Sequence, residues 1–428
     1  MSSLRSPREP SESRQAQPGR DASRSPRERS ESKRPLRVAM IGYGFMGAAH
    51  SVGWRQAPAV FDLAEDVEMA VLVGRNADAV AQAAAHWGWG ASETDWRKVI
   101  ARDDIDIVDV VTPGDSHAEI AIAALEAGKH VLCEKPLANT VAEAEAMLAA
   151  ATRAAERGAK AMVGFTYRRV PAVTFLRDLI AQGAVGTVQQ VRAAYRQDWL
   201  VDPQAPLAWR LQKEHAGSGA LGDIGAHIID MTQFVTGQRI EAVSGTVETI
   251  VKRRPLLGSG SGLSGVAAEG YGEVTVDDAA IFTGRLSGGA LVSFEATRFA
   301  TGRKNSLTIE VSGDKGALAF DLEDLNSLQF YDRTAPGDRQ GFTKILVTEA
   351  QHPYVAAWWP TGHMLGYEHG FVHQAVDLVR AIHDDVDPHP TFAEGLSVQR
   401  VLAAVEQSAA KDSAWVRVGV EDLVFERA

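Results

Sequence analysis

Three short stretches of this chain carry residue types whose spacing suits chemistry. In Asp223-Ile-Gly-Ala-His227 an acid and an imidazole stand four residues apart, which on a helix puts both on one face. Histidine takes a hydroxyl proton near neutral pH, and an adjacent carboxylate orients it and stabilises its charged form. Taken alone, the pair reads first as a plain helix ion pair. Gly222 and Gly225 stand within the same stretch at a cost to helix stability, which makes sense where another group approaches this face. The second stretch is Glu134-Lys135-Pro136. A cation there lowers the pKa of a substrate hydroxyl or stabilises the alkoxide that forms, whereas a lone lysine is by default a solvated charge. Pro136 fixes the turn and keeps Lys135 out of a helical conformation. The third is Gly42-Tyr43-Gly44-Phe45-Met46-Gly47, a G-x-G-x-x-G turn. Its first glycine permits the turn, its second lets a pyrophosphate reach the backbone, and its third lets helix and strand pack closely.

Strands and helices must hold these turns in place. LRVAMI (Leu36 to Ile41) is a short apolar run that ends in the glycine turn, which reads as a buried strand leading into a helix whose N-terminus faces phosphate. MAVLVG (Met69 to Gly74), IDIVDVVTP (Ile105 to Pro113) and HVLCEKP (His130 to Pro136) read as three more strands, with Ala-rich helices between them at Ala77 to Trp87 and Ala118 to Ala127. This alternation predicts a parallel, Rossmann-type sheet over residues 36–164, open to ligands at the carboxyl ends of its strands. From 165 to 428 the pattern changes. A helix before Gly183, the long strand GTVQQVRAAYRQDW, a helix over GALGDIGAHIIDMTQFVTG and the strands AVSGTVETIV, DDAAIFTGRL, GALVSFEATRF, NSLTIEVSG and GALAFDL follow, with SGGA and SGDKGA as hairpin turns. The expected fold is α/β: an N-terminal Rossmann domain over 36–164, then an α+β domain over 165–428 with an open, mostly antiparallel sheet. Leu256 to Gly272 reads as a Gly- and Ser-rich surface loop. Asp277-Asp278 reads as a pair of sheet-edge charges. Residues 1–35, rich in Ser, Arg, Pro and Glu and poor in apolar side chains, read as a disordered tail.

Composition narrows the function classes. Of 428 residues 45% are hydrophobic and 23% charged, a globular balance. The net charge of -11 argues against a nucleic-acid partner. No apolar run approaches the roughly 20 residues of a membrane span, and no signal peptide opens the chain. The single cysteine, Cys133, suits a reducing compartment, so a cytoplasmic location is expected. The dinucleotide cofactor is NAD or NADP. The second strand ends Gly74-Arg75-Asn76, without the acid that binds the ribose hydroxyls of NAD. Arg75 suits a 2′-phosphate, or equally stacks on adenine while Asn76 serves the ribose.

In this order and spacing, GYGFMGAAH, TPGDSHAEIAIAALEAGKHVLCEKPLA, GFTYRRVPA and GSGALGDIGAHIID resemble the glucose–fructose oxidoreductase/inositol dehydrogenase/rhizopine catabolism (Gfo/Idh/MocA) superfamily, from about residue 36 to the end. The resemblance implies hydride transfer between NAD(P) and a secondary carbinol of a sugar, inositol or related polyol, with Lys135 as the active-site lysine, His227 as proton acceptor and Asp223 as its polar partner. It also implies that Thr112, Pro113 and His117 line the nicotinamide side of the cofactor site beside Glu134, and that the C-terminal sheet builds a homodimer or homotetramer. Other members act as glycoside hydrolases through a transient NAD redox cycle, or reduce other small carbonyl or imine substrates, so fold alone does not decide. Substrate candidates are Tyr167, Arg168, Gln197, Trp199, Trp209 and Arg210, whose polar and aromatic character suits a polyhydroxylated ligand. His363 and Tyr367, in the histidine-dense run Trp358 to His373, are further candidates at the pocket rim. That run lacks H-E-x-x-H order, so no metal site is expected.

Overall fold

The computed structural model describes residues 34–259 and 265–419. Nearly all of the tail read over residues 1–35 lies outside them, as does the tip of the Leu256 to Gly272 stretch. No helix among the described residues is long and apolar enough to cross a membrane.

The apolar runs become parallel strands because both their faces are covered by helices. The strands are β1 (Leu36–Ile41), β2 (Val67–Val73), β3 (Ala91–Glu93), β4 (Ile107–Val110), β5 (His130–Cys133) and β6 (Ala161–Val163). They pair in parallel in the order β3-β2-β1-β4-β5-β6. Four of the six stand out as apolar runs; β3 and β6, with three residues each, are too short to show a pattern. Helices α1 (Phe45–Val60), α2 (Ala77–Trp87), α3 (Trp96–Ile100), α4 (His117–Glu126) and α5 (Val141–Ala155) connect them. The order reverses between β1 and β4, and such a switch point opens a crevice beyond the strand ends.

Helices α6 (Pro171–Ala181), α7 (Lys213–Ala216) and α8 (Ala226–Thr236) follow, with the long strand β7 (Val188–Arg196) after α6. Strands β8 (Ile240–Glu248), β9 (Arg253–Ser259), β10 (Val266–Glu273), β11 (Ala279–Leu286), β12 (Leu291–Thr297), β13 (Ser306–Gly313), β14 (Gly316–Asp321), β15 (Ser327–Asp332), β16 (Thr343–Leu346) and β17 (Val416–Arg417) complete the set. Nine of these strands form one sheet in the order β16-β15-β14-β13-β7-β12-β11-β8-β17. Its pairs are antiparallel except β7 with β12. One face is apolar, with Val191, Phe282, Phe294, Ile309 and Leu318 all buried, and it packs on α6, α8 and α10 (Phe392–Ala409). On the other face, among the described residues, Ile281 of β11 is 59% exposed.

The last two helices return to the first sheet. α9 (His369–Asp384) lies along α1, so close that a Cβ on Gly53 would stand 2.7 Å from the Phe371 carbonyl oxygen. α10 begins at a capping box on Thr391, which also bridges to Met162 of β6.

Three expectations are corrected. The stretch read as a loop from Leu256 to Gly272 is mostly strand, β9 pairing antiparallel with β10. Gly258 and Gly270, which suggested a loop, sit instead at register shifts of this ribbon. Asp277 and Asp278 are buried rather than edge charges. Asp277 accepts from the Gly219 and Leu221 N–H groups, both at 2.7 Å, and Asp278 from those of Ile250 and Val251. The stretch read as one helix through Asp223 opens with a π-helical turn, Leu221–Gly225, and only then becomes α8.

Candidate active site at the crevice of the parallel sheet

The glycine turn joins β1 to α1 at the switch point. Gly42 has φ +115°, and a Cβ there would lie 2.8 Å from the Val111 carbonyl oxygen. At Gly47 a Cβ would lie 2.6 Å from the carbonyl oxygen of Gly42, so both positions need the bare backbone. Around Gly44, the cap of α1, nothing stands within 4 Å of where a Cβ would be. That is open space above a helix N-terminus, which fits a pyrophosphate. The Tyr43 ring lies against Gly74, whose lack of a side chain makes room for it, and Met46 packs on the neighbouring core. Phe45 is exposed and stacks with Tyr367, ring centroids 6.4 Å apart. Arg75 is exposed at the end of β2, while the Asn76 side chain accepts from the Ala79 N–H and caps α2.

Lys135 enters the crevice from the turn after β5. Its Nζ donates to the Asp223 carbonyl at 2.7 Å and reaches Asp223 Oδ1 at 3.3 Å. The other carboxylate oxygen, Oδ2, accepts from Arg298 Nη2 at 2.8 Å. Burial alone would raise the Asp223 carboxyl, but Lys135, Arg298 and Arg210 hold it far below the usual range. The carboxylate was expected to orient His227; the π-helical turn instead sends it to the two cations. His227, on the first turn of α8, lies among Tyr167, Tyr195 and Phe165, at ring-centroid distances of 4.7, 5.8 and 6.1 Å. Burial and then the Lys135 charge hold its imidazole well below the ordinary value, against the opposing pull of Asp223.

The aromatic wall is tied together by hydrogen bonds. The Tyr167 and Tyr195 hydroxyls are 2.9 Å apart, and Tyr195 donates to Asn305 Oδ1 at 2.6 Å. Gln197 Nε2 donates to the same oxygen, and Trp199 Nε1 donates to Gln197 Oε1. Arg298 lies over the Trp199 ring, and Arg210 over Trp209. Tyr367 brings its ring to within 6.4 Å of Tyr167.

Other candidates stand elsewhere. Arg168 is buried away from the crevice, donating to Asp230 and Glu394 in a three-bond ion cluster. His363 is exposed, its Nδ1 2.7 Å from the Pro360 carbonyl of its own turn. His117 is buried, its ring nitrogens on the carbonyls of Thr112 and Pro136, so it ties the two crevice loops together from behind. Thr112 Oγ1 accepts from Ser116, one residue short of α4. Glu134 is buried beneath Lys135. Among the described residues no group of three or more His, Cys, Asp or Glu stands ready to hold a metal ion. Sequence reasoning missed Arg298, Tyr195 and Asn305. Each lies at or near the end of a strand of the large sheet, with no local motif around it.

Two stretches of the chain match known families. Residues 36–165 match the oxidoreductase family with an NAD-binding Rossmann fold, and residues 173–319 match the GFO/IDH/MocA C-terminal domain. Levoglucosan dehydrogenase of Pseudarthrobacter phenanthrenivorans is 41% identical over 388 residues, 90% of this chain and 98% of that protein. A solved oxidoreductase domain protein from Kribbella flavida is 61% identical with TM-score 0.87, over 91% of this chain and all of that one. A levoglucosan dehydrogenase solved with NADH and levoglucosan is 40% identical with TM-score 0.84, over 90% of this chain and 100% of that one.

Proposed function

This chain belongs to the GFO/IDH/MocA family of NAD-binding oxidoreductases, and on that premise we propose that it is a sugar dehydrogenase that oxidises a secondary carbinol of a pyranose such as levoglucosan. One observation carries the reading: a lysine ammonium pinned by a doubly paired carboxylate, beside an imidazole kept neutral by its surroundings. NAD, held at the Gly42–Gly47 turn, supplies the hydride acceptor. His227 is neutral at working pH and free to take the hydroxyl proton. Lys135 stabilises negative charge developing on the carbinol oxygen. Asp223 holds Lys135 in place, and Arg298 keeps Asp223 ionised. Tyr167, Tyr195, Trp199 and Tyr367 offer ring faces to the C–H surface of a sugar, and Arg210 and Gln197 offer donors to its hydroxyls.

NAD rather than NADP is the proposed cofactor. A levoglucosan dehydrogenase 40% identical to this chain is solved with NADH. The test is absorbance at 340 nm with a panel of levoglucosan, glucose, L-sorbose and inositols, each with NAD and with NADP. Reduction of NAD by an anhydro- or simple pyranose is the expected result. Turnover of inositols alone, or a clear preference for NADP, would refute the substrate or the cofactor assignment respectively.

A further inference from the structure

Helix α1 carries a buried histidine that the reaction above does not use. His50 is 2% exposed, facing into the parallel sheet. Its Nδ1 lies 2.9 and 3.1 Å from the two carboxylate oxygens of Asp109 on β4, and its Nε2 lies 3.0 Å from Oε1 of Glu134. Carboxylates only accept, so both ring nitrogens donate and the ring carries a charge. Burial opposes that charge, but Asp109 and Glu134 outweigh it and push the group up to about 10. The rest of its surroundings holds the arrangement fixed. Trp54 Nε1 donates to Asp109 at 2.7 Å, and the Phe371 ring of α9 lies 5.4 Å from the imidazole. The nearby Cys133 thiol is pushed up by burial, then by Glu134 and Asp109.

Glu134 transmits this to the crevice. Its Oε2 accepts from the Lys135 backbone N–H at 3.1 Å. On its other side stands Gly164, where a Cβ would come 2.6 Å from Oε1. The carboxylate is thus held by His50, by the Lys135 backbone and by a glycine that leaves it room.

We infer that His50 is a positioning residue for Lys135: through Glu134 it fixes the turn carrying the ammonium, and it locks that turn to the helix that faces the dinucleotide phosphates. The inference rests on the reading of Lys135 as the group that polarises the substrate oxygen.

His50→Gln tests it, because an amide is neutral and, lying where the ring lay, turns an acceptor oxygen toward one of the two carboxylates. A displaced lysine should lower kcat by about 10- to 100-fold, while KM for NAD stays within about twofold because the glycine turn is untouched. In this variant one carboxylate should hold the missing proton, and kcat should fall as rising pH removes it and leaves two buried like charges. Adding Glu134→Gln should abolish that pH dependence without deepening the kcat loss. Wild-type kcat in His50→Gln, or losses that multiply in the double variant, would overturn the inference. Neutron diffraction of the wild-type holoenzyme needs no variant to fold: deuterons on both nitrogens of His50 are expected, and one alone refutes the positioning cation. Lys135→Met separates the two claims. Full activity there sinks the functional reading and the premise of the inference with it, whereas an inactive Lys135→Met beside a His50→Gln with wild-type kcat sinks the inference alone.

Discussion

At the scale of single residues, the chemistry depends on keeping His227 neutral and Lys135 charged a short distance apart. Burial and the lysine charge hold the imidazole down, so the base is deprotonated well below the usual histidine value of about 6.5. The acid limb of kcat/KM, measured with the preferred sugar, should therefore lie below that value, activity being lost as pH falls through the depressed pKa. A limb at or above about 6.5 would show that another group is titrating. His227→Ala should cut kcat by about 10²- to 10⁴-fold while fluorescence titration finds NADH binding nearly unchanged; a fully active variant would make the proton acceptor some other group. The Asp-x-x-x-His spacing was legible because both residues share one segment. The actual partner of the carboxylate was not, since Arg298 lies 75 residues further on and reaches it only once β12 is in its sheet.

Elements decide which side chains reach the crevice. Arg168 reads as a substrate group from its place after the last parallel strand, yet the short turn at Thr166–Arg169 sends it into the interior. There it meets Asp230 on α8 and Glu394 on α10, so it joins elements rather than binding ligand. Arg168→Met should then cost about 3–5 kcal/mol, since it leaves the buried Asp230 carboxylate without its ion partner and strips Glu394 Oε1 of its own. Chemical denaturation would measure that loss, and KM for substrate in the remaining folded enzyme should hardly move. A raised KM with unchanged stability would return Arg168 to the pocket. The strands that showed in the sequence were the ones with enough apolar residues to reveal a period; β3 and β6 were not. The β9–β10 ribbon was masked by glycine, which marks loops and irregular strands alike.

For the whole molecule, Ile281 stands exposed among the described residues on the second face of the large sheet, with Arg192, Ser293, Thr308 and Glu310 around it. That this face joins subunits is what the resemblance to the family implies, and the exposed Ile281 offers a place to test it. Ile281→Asp should lower the association state seen by sedimentation velocity while leaving the circular dichroism spectrum intact. An unchanged sedimentation coefficient would move the contact elsewhere. The two-part architecture was legible in the switch from strand–helix alternation to consecutive strands, but the route of the chain's end was not. Helices α9 and α10 come late in the sequence and lie against α1 and β6, near its start. The nucleotide-binding half is therefore not a module that one cut in the gene can exchange. A chimera that borrows it from a relative, to change cofactor preference for example, has to import two separated stretches of sequence, and a graft of the first alone would leave a foreign α1 resting on a native α9 that was never fitted to it.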